Sequence, residues 1–271
     1  MMFDYARNGY LNTVLNAAAF PNVITQIALL TTLPEPDGPI TEPSGGGYAK
    51  VITSTADWST PDNGFCYNVN TLTFPQATAD WGTIVGIAIT TTDNNLLFYG
   101  PLRSTRSVSA SSPKLSFPAG SIRLTVSGCA GTIVLNGVLD GWMKSSNPAA
   151  PLTFYLGLSQ VMPSNDGTGW TEPTIGSDGY DRAVITNAAA WSNPITVGFG
   201  YNVETIRMPA TGSPSGDWLS SLAAWGLWDA AEGGNLYFFG KLQSAIVVND
   251  TSPPLVFTPG QIQIGLDSAC C

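Results

Sequence analysis

The segment Tyr67-Asn68-Val69-Asn70-Thr71-Leu72-Thr73-Phe74 carries two signals that decide how this 271-residue chain is organised. Toward its end, apolar and polar side chains alternate, which predicts a β-strand with one face turned inward. Its first three residues return as Tyr201-Asn202-Val203. The same local structure is therefore predicted twice in one chain.

Further motifs recur in the same order along the chain, which indicates a tandem duplication. The separation between partners grows steadily, from 128 residues at Asn8/Asn136 to 140 residues at Asn95/Asn235, as small loop insertions in the second copy would produce. The other matched motifs are Thr41-Glu42-Pro43 with Thr171-Glu172-Pro173, Gly47-Tyr48 with Gly179-Tyr180, Trp58-Ser59 with Trp191-Ser192, and Asp80-Trp81 with Asp217-Trp218. We predict a first domain over residues 1–128, a linker over 129–135 and a second domain over 136–271.

Each repeat reads as an all-β domain that opens with one short helix. The helices are predicted over Tyr10 to Ala19 and Val138 to Lys144, and short β-branched runs bounded by Gly, Pro, Asn and Asp follow them. In repeat 1 these runs are Val23–Thr31, Tyr48–Thr53, Cys66–Phe74, Thr83–Thr91, Leu96–Pro101, Arg106–Ser109 and Ser121–Ser127. This pattern predicts two tandem β-sandwiches; an up-and-down barrel fits the same pattern and stays open as the alternative.

Composition excludes several classes of function. Only 11% of residues are charged, the net charge is −9, and histidine is absent, so imidazole catalysis and histidine metal sites are excluded. Ten scattered cations do not form a nucleic-acid surface. We expect no cofactor, no metal, no membrane span and no secretory signal, with synthesis in the cytoplasm.

Two local patterns that resemble catalytic motifs are better explained by loop structure. Ser44-Gly45-Gly46-Gly47 is not followed, at the required spacing, by the lysine and the serine or threonine of a phosphate loop. We predict a flexible loop that leads into a strand. The repeated acids Glu42/Glu172 and Asp80/Asp217 would be the candidates for a glycosidase pair, yet their neighbours are typical of turns. We predict that the chain is not an enzyme.

Aromatic residues divide into repeated and unrepeated sets. Tryptophans that occur in both repeats are most simply explained by core packing. Core packing is also the favoured explanation for the unrepeated aromatic residues, because most large aromatic side chains are buried. Four of them remain candidates for an interaction surface toward a partner or a sugar: Trp225, Trp228, Phe238 and Phe239.

The four cysteines, Cys66, Cys129, Cys270 and Cys271, are candidates for interchain disulfides. None has a cysteine at the matching position of the other repeat, so the common framework does not require them. Cys270 and Cys271 lie beyond the last predicted strand, where a thiol can reach another subunit. Reduced, unpaired cysteines are the alternative in a cytosolic protein.

Several longer strings resemble a family of small virion proteins of tailed bacteriophages. They are Ile27-Ala28-Leu29-Leu30-Thr31-Thr32, Thr41-Glu42-Pro43-Ser44-Gly45-Gly46-Gly47-Tyr48-Ala49, Phe74-Pro75-Gln76-Ala77-Thr78-Ala79-Asp80-Trp81-Gly82-Thr83, Asn95-Leu96-Leu97-Phe98-Tyr99-Gly100-Pro101-Leu102 and Phe117-Pro118-Ala119-Gly120-Ser121-Ile122. The resemblance covers nearly all of repeat 1, whereas repeat 2 departs from it in the glycine-rich loop.

The resemblance implies a structural part of a virion. We expect a protein on the outer capsid surface that decorates or cements the capsid by bridging neighbouring subunits. Its expected partners are the major capsid protein and further copies of itself. The alternative is a tail or head fibre protein that takes part in host attachment and contacts a host glycan.

Overall fold

The computed structural model describes residues 2–21, 23–35, 38–148, 150–186, 190–194 and 199–266. Repeat 1 contains α1 (Asp4–Asn16), β1 (Thr25–Leu30), β2 (Val51–Thr53), a 3₁₀ turn (Thr55–Asp57), β3 (Phe65–Tyr67), β4 (Leu72–Thr73), β5 (Gly82–Thr91), β6 (Leu96–Val108), β7 (Ser116–Phe117) and β8 (Arg123–Thr125). Repeat 2 contains α2 (Thr132–Lys144), β9 (Thr153–Ser159), β10 (Ala183–Thr186), β11 (Phe199–Tyr201), β12 (Ile206–Met208), β13 (Leu222–Trp228), β14 (Leu236–Ile246), β15 (Leu255–Phe257) and β16 (Gln263–Gly265).

The strands of the two repeats pair in the same order. Repeat 1 forms a four-stranded antiparallel sheet, β2-β1-β5-β6, and two small ladders, β3-β8 and β4-β7. Repeat 2 forms the sheet β10-β9-β13-β14 and the ladders β11-β16 and β12-β15. The outer strands β6 and β14 each form an isolated bridge to a residue that precedes a helix, Met2 at Phe98 and Ala130 at Phe238. The duplication and the all-β class are therefore confirmed.

Each repeat places its small ladders against its large sheet, as a β-sandwich requires. In repeat 2, the ring of Phe154 on β9 lies 6.4 Å from the ring of Trp191, whose backbone bridges to Asn202 beside β11. In repeat 1, Tyr48 reaches β1 through its hydroxyl and stacks 6.3 Å from Phe74, which follows β4. Aromatic side chains thus pack between the two layers in both repeats.

A buried asparagine in each repeat fixes the turn that precedes the last strand. The Asn68 side-chain amide donates to the carbonyls of Asn70 and Pro118, both at 2.8 Å, and its Oδ1 accepts from the Ile122 N–H at 2.8 Å. Asn202 makes the equivalent bonds to Glu204, Thr258 and Ile262. These contacts explain the repeated Tyr-Asn-Val motif, because no apolar residue can satisfy three buried backbone groups.

The chain divides into two compact units, and neither unit coincides with one sequence repeat. Unit 1 comprises the described residues up to Gly9, Phe20–Val126 and Val138–Asn147. Unit 2 comprises Tyr10–Ala19, Ser127–Gly137 and the described residues from Pro148 onward. Each unit therefore joins the strands of one repeat to the second half of the helix that the other repeat supplies.

In unit 1 the end of α2 packs onto repeat 1. The Trp142 side chain is buried, its indole N–H donates to the Ala6 carbonyl at 3.2 Å, and its ring lies 4.7 Å from the Phe20 ring. The Lys144 ammonium donates to the carbonyls of Thr55 at 2.8 Å and Trp58 at 2.9 Å. The last turn of α2 thereby satisfies backbone groups of the first repeat.

In unit 2 the end of α1 packs onto repeat 2. Asn16, which matches Lys144 in the repeat alignment, donates its side-chain amide to the Ser192 carbonyl at 3.3 Å. Leu15 packs so closely on β11 that a Cβ added to Gly200 would lie 2.6 Å from Leu15 Cδ1. The two helices thus exchange their C-terminal halves reciprocally.

The helix boundaries correct the sequence prediction. The helices begin at Asp4 and Thr132, and the Asn-Gly pairs that precede the predicted starts lie inside them. Glycine is needed there because a Cβ at Gly9 would lie 2.9 Å from Trp142 Cζ2, and one at Gly137 2.5 Å from Tyr10 Oη. The predicted linker 129–135 is wrong, since it contains the first turn of α2.

Strand boundaries also differ from the prediction. The predicted run Cys66–Phe74 is two strands, β3 and β4, separated where Asn68 turns its amide toward the neighbouring loop. The runs Leu96–Pro101 and Arg106–Ser109 form one strand, β6, paired with β5 through two register irregularities. Neither helix in the described part of the chain is long and apolar enough to span a membrane.

The asparagine contacts predict that Asn68→Ala lowers the free energy of unfolding by about 2–4 kcal/mol, because buried backbone groups lose their partner. Denaturant unfolding of the purified chain measures this. Asn70→Ala is the matched control, since that exposed side chain bonds Asp57 at the surface and its loss should cost about 1 kcal/mol or less. Equal losses in the two variants would contradict this role for Asn68.

Candidate functional site

The repeated Thr-Glu-Pro and Gly-Tyr motifs meet in a polar network within each unit. In unit 2 the Tyr180 hydroxyl donates to Glu172 Oε1 at 2.7 Å and accepts from the Leu158 N–H at 2.8 Å. In unit 1 the Tyr48 hydroxyl donates to Glu42 Oε2 at 2.8 Å and accepts from the Leu29 N–H at 2.9 Å. Each tyrosine thereby ties the loop that carries the acid to the second strand of the large sheet.

The cation differs between the two networks. In unit 2, Arg182 is buried and forms a two-pronged pair with Glu172, with Nε–Oε1 at 3.0 Å and Nη2–Oε2 at 2.8 Å. Its Nη1 donates to the carbonyls of Ala230 and Gly233, and its guanidinium carbon lies 4.3 Å from the Trp228 ring centre. Arginine suits this position because its planar fork matches a carboxylate and stacks on an aromatic face.

In unit 1 the network is looser. Lys50 Nζ lies 3.1 Å from Glu42 Oε1 and donates to Asn94 Oδ1 at 2.7 Å. Burial raises the pKa of Tyr48 and, more strongly, of Tyr180, so both phenols remain protonated well above neutral pH. In both units these groups hold a loop in place.

The repeated tryptophans anchor the loops that precede them. Trp81 Nε1 donates to the Gly46 carbonyl at 2.9 Å, and Trp218 Nε1 donates to the Asp178 carbonyl at 2.9 Å. Gly46 has a φ of 57°, and a Cβ there would lie 3.0 Å from Trp81 Nε1. The glycine-rich stretch is therefore a loop held against an indole.

The acids considered for a glycosidase pair have other surroundings. Glu42 and Glu172 belong to the tyrosine networks, whereas Asp80 and Asp217 are exposed beside the anchored tryptophans. Among the described residues, no three His, Cys, Asp or Glu side chains cluster so that they could hold a metal ion.

The predicted interaction surface of Trp225, Trp228, Phe238 and Phe239 is wrong, because the structure buries all four side chains. Trp228 and Phe239 pack in an apolar cluster with Cys129 and Leu236. The physical reason is that both faces of the sheet are covered along β13 and along the first half of β14, where consecutive residues are buried. Core packing, which the sequence favoured, is therefore confirmed for these residues. The strand register also matches Phe238 and Phe239 with the aromatic residues Phe98 and Tyr99 of repeat 1.

The cysteines lie in three different settings. Cys66 is a free thiol buried on β3, where burial and the negative charge of Asp140 raise its pKa to about 12. A thiol buried in this way cannot reach another chain in the folded protein, which argues against Cys66 as an interchain candidate. Cys129 is buried in the cluster with Trp228, and Cys270 and Cys271 lie outside the described residues. An interchain bond at Cys270 or Cys271 stays a prediction.

Sequence analysis missed a set of exposed apolar residues at equivalent positions of both repeats. Ile52 on β2 is 66% exposed, and its equivalent Val184 on β10 is 64% exposed. Val69 and Val203 are each 40% exposed. The repeat alignment could have identified these pairs, because an apolar residue retained twice on a solvent-facing outer strand is unusual.

The tight network in unit 2 predicts that Glu172→Ala lowers the free energy of unfolding by about 3–5 kcal/mol, since Arg182 then remains buried without its counter-charge. The matched variant Glu42→Ala should cost about 1–2 kcal/mol, because Lys50 can turn toward solvent. Thermal and denaturant unfolding of both variants measures the difference. A larger loss for Glu42→Ala would contradict the assignment.

Comparison with known proteins connects these repeated networks to a family. A family model described as podophage GP4 fiber I protein gp80 matches the chain twice, over residues 1–125 and 130–265. No curated protein matches the chain. The two matched regions correspond to the two repeats and together cover most of the sequence, which confirms the resemblance to phage virion proteins. The chain belongs to the podophage GP4 fiber I protein gp80 family, as a tandem duplication of its domain.

Proposed function

We propose that this chain is a non-enzymatic structural component of a phage fibre, carried on the outside of the virion. The observation that carries the proposal is the double match to a podophage fibre family, one match for each repeat. A fibre part must keep its fold outside the cell. The buried asparagine and acid–tyrosine networks, present in both units, provide that kind of reinforcement.

The chemistry of the polar groups supports a role without turnover. Glu172 is saturated by Tyr180, Arg182 and Trp170, so its carboxylate has no lone pair directed at a substrate. The phenols of Tyr48 and Tyr180 have raised pKa values and cannot act as bases near neutral pH. These networks stabilise loops.

The surface supports contacts with other proteins. The chain has a net charge of −9 and only 11% charged residues, so its surface does not favour an anionic nucleic acid and imposes little charge repulsion on a neutral neighbour. The outer strands β2 and β10 each present one strongly exposed aliphatic residue, Ile52 and Val184. We propose these edges as contact points toward further copies of the chain or another virion protein.

Capsid decoration is the second candidate function. The observation that favours it is the repetition of the same exposed apolar residues in two units of one chain. Two similar contact surfaces on one polypeptide would suit two neighbouring capsid subunits, which present equivalent sites. Under this proposal the partners are the major capsid protein and copies of the chain, at the outer capsid surface.

Deleting the gene from the phage separates the two functions. For a fibre component, we expect particles that assemble and resist osmotic shock normally but adsorb poorly to the host. If the particles adsorb normally but their capsids break on heating or osmotic shock, capsid decoration is the function and the fibre proposal is wrong. Normal adsorption together with normal resistance would contradict both.

The double variant Ile52→Asp, Val184→Asp tests the proposed contact points. We expect a folded protein that is missing from purified particles, because a carboxylate cannot be buried at an apolar contact. Val256→Asp is the matched control, since Val256 is 42% exposed but its equivalent in repeat 1 is Ser116. Normal incorporation of the double variant, or loss of both variants, would rule out these edges as specific contacts.

A further inference from the structure

Unit 1 contains an open cleft between the two layers of its sandwich. It measures about 440 Å³ and opens beside β6, the outer strand of the large sheet. Its walls are apolar on both sides: Ile87, Ile89, Phe98 and Leu102 come from the large sheet, and Phe117, Ile122 and Leu124 come from the small ladders. Gly100 forms part of the floor, and a Cβ added there would meet nothing within 4 Å.

The equivalent space in unit 2 is filled by a side chain of the protein itself. Ile87 pairs with Gly100 across β5 and β6, and Trp225 pairs with Gly240 across β13 and β14 in the same register. The Trp225 ring lies on Gly240, since a Cβ there would be 2.6 Å from Trp225 Cζ2. The remaining cleft measures about 180 Å³. The unit 1 cleft is therefore the same space without its indole.

The rims of the two clefts differ in charge. Arg103 and Arg123 line the cleft of unit 1, where the Arg123 guanidinium lies 4.1 Å from the Phe65 ring centre. Their equivalents in repeat 2 are the neutral residues Gln243 and Gln263. The smaller cleft of unit 2 is lined by the cation Lys241, whose equivalent in repeat 1 is Pro101. The chain has only ten lysines and arginines, and two of them line the larger cleft of unit 1. The cleft that lacks the indole therefore has two cations in its lining, compared with one in its smaller counterpart.

We propose that the unit 1 cleft binds an aromatic side chain from an acidic segment of a partner protein. The partner's ring takes the place that Trp225 fills in unit 2, between the apolar walls and over Gly100. Carboxylates that flank this ring meet Arg103 and Arg123 at the rim. This inference goes beyond the proposed virion role and does not depend on whether the chain serves a fibre or a capsid.

The lining favours a peptide over a sugar. The walls are formed by aliphatic and aromatic side chains, and the polar side chains Ser121, Thr125, Arg103 and Arg123 are exposed. A sugar requires several fixed hydrogen-bond partners within its site, because its hydroxyl groups lose water on binding. An indole or phenyl ring loses little by entering such walls and gains the contacts that Trp225 makes in unit 2.

Titration of the full chain with short peptides tests the proposal, followed by calorimetry and by amide NMR shifts. The probe is acetyl-Glu-Trp-Glu-amide, with acetyl-Glu-Ala-Glu-amide and acetyl-Lys-Trp-Lys-amide as matched controls. We expect saturable binding of the probe with shifts at Gly100 and Phe98, no detectable binding of the alanine peptide, and about tenfold weaker binding of the lysine peptide.

Two variants locate the binding site. Ile87→Trp gives unit 1 the residue that unit 2 has and should abolish binding of the probe. Ile24→Trp is its control, because it adds the same side chain to the same unit at an exposed position outside the cleft, and should leave binding unchanged. Arg103→Gln with Arg123→Gln should weaken binding about tenfold and reduce its salt dependence. Melting temperatures near that of the unmodified chain verify that the variants fold.

Each of three results would contradict binding of an aromatic side chain in this cleft. Absence of probe binding to the unmodified chain, unchanged binding to the Ile87→Trp variant, or equal binding of the alanine peptide would overturn the proposal. Trigalacturonic acid serves as the acidic sugar probe. If it binds in the cleft more tightly than the tryptophan peptide, the cleft is a glycan site and the peptide proposal is wrong. These measurements use purified protein, so the gene-deletion result on fibre or capsid function remains separate.

Discussion

The structure depends on an exchange in which each unit is completed by half a helix from the other repeat. Trp142 and Lys144 at the end of α2 cover the core of unit 1 and satisfy the Thr55 and Trp58 carbonyls. Leu15 and Asn16 at the end of α1 do the equivalent for unit 2. Because each unit needs residues of both repeats, neither repeat retains a complete core alone.

The shared framework has allowed the two units to diverge at separate points. Unit 2 carries the stronger internal packing, with Arg182 buried against Glu172 and the Trp225 ring closing its cleft. In unit 1 the partly buried Lys50 lies against Glu42, and the space over Gly100 is unfilled. The packing of unit 2 is therefore tighter than that of unit 1 at both points.

Much of the fold could be predicted from the sequence because the repeated motifs occupy positions that packing dictates. Tyr-Asn-Val recurs since Asn68 and Asn202 each satisfy three buried backbone groups, and Gly-Tyr recurs since Tyr48 and Tyr180 each reach a strand. The helix exchange could not be predicted. Two similar helices and two similar sheets can pair within a repeat or across repeats, and the sequence pattern is the same in both cases.

The residues of the proposed cleft in unit 1 could not be predicted, because their equivalence to residues of unit 2 depends on strand register. The aromatic residue Trp225 drew attention to repeat 2, where it is buried. The open cleft lies in repeat 1, where the aliphatic Ile87 occupies the equivalent position and gives no signal by itself. Only the register, which pairs Ile87 with Gly100 and Trp225 with Gly240, shows that the two positions are equivalent.

Hydrogen exchange of the Trp142→Ala variant, read by mass spectrometry, tests the helix exchange most directly. Trp142 belongs to repeat 2 by sequence and to unit 1 by structure. We expect the amides of β3 and of Thr55 to Trp58 in repeat 1 to lose protection, while β11 in repeat 2 keeps its protection. Leu15→Ala should give the reverse pattern. Loss of protection confined to β11 in the Trp142→Ala variant would mean that each helix packs on its own repeat, which would contradict the exchange.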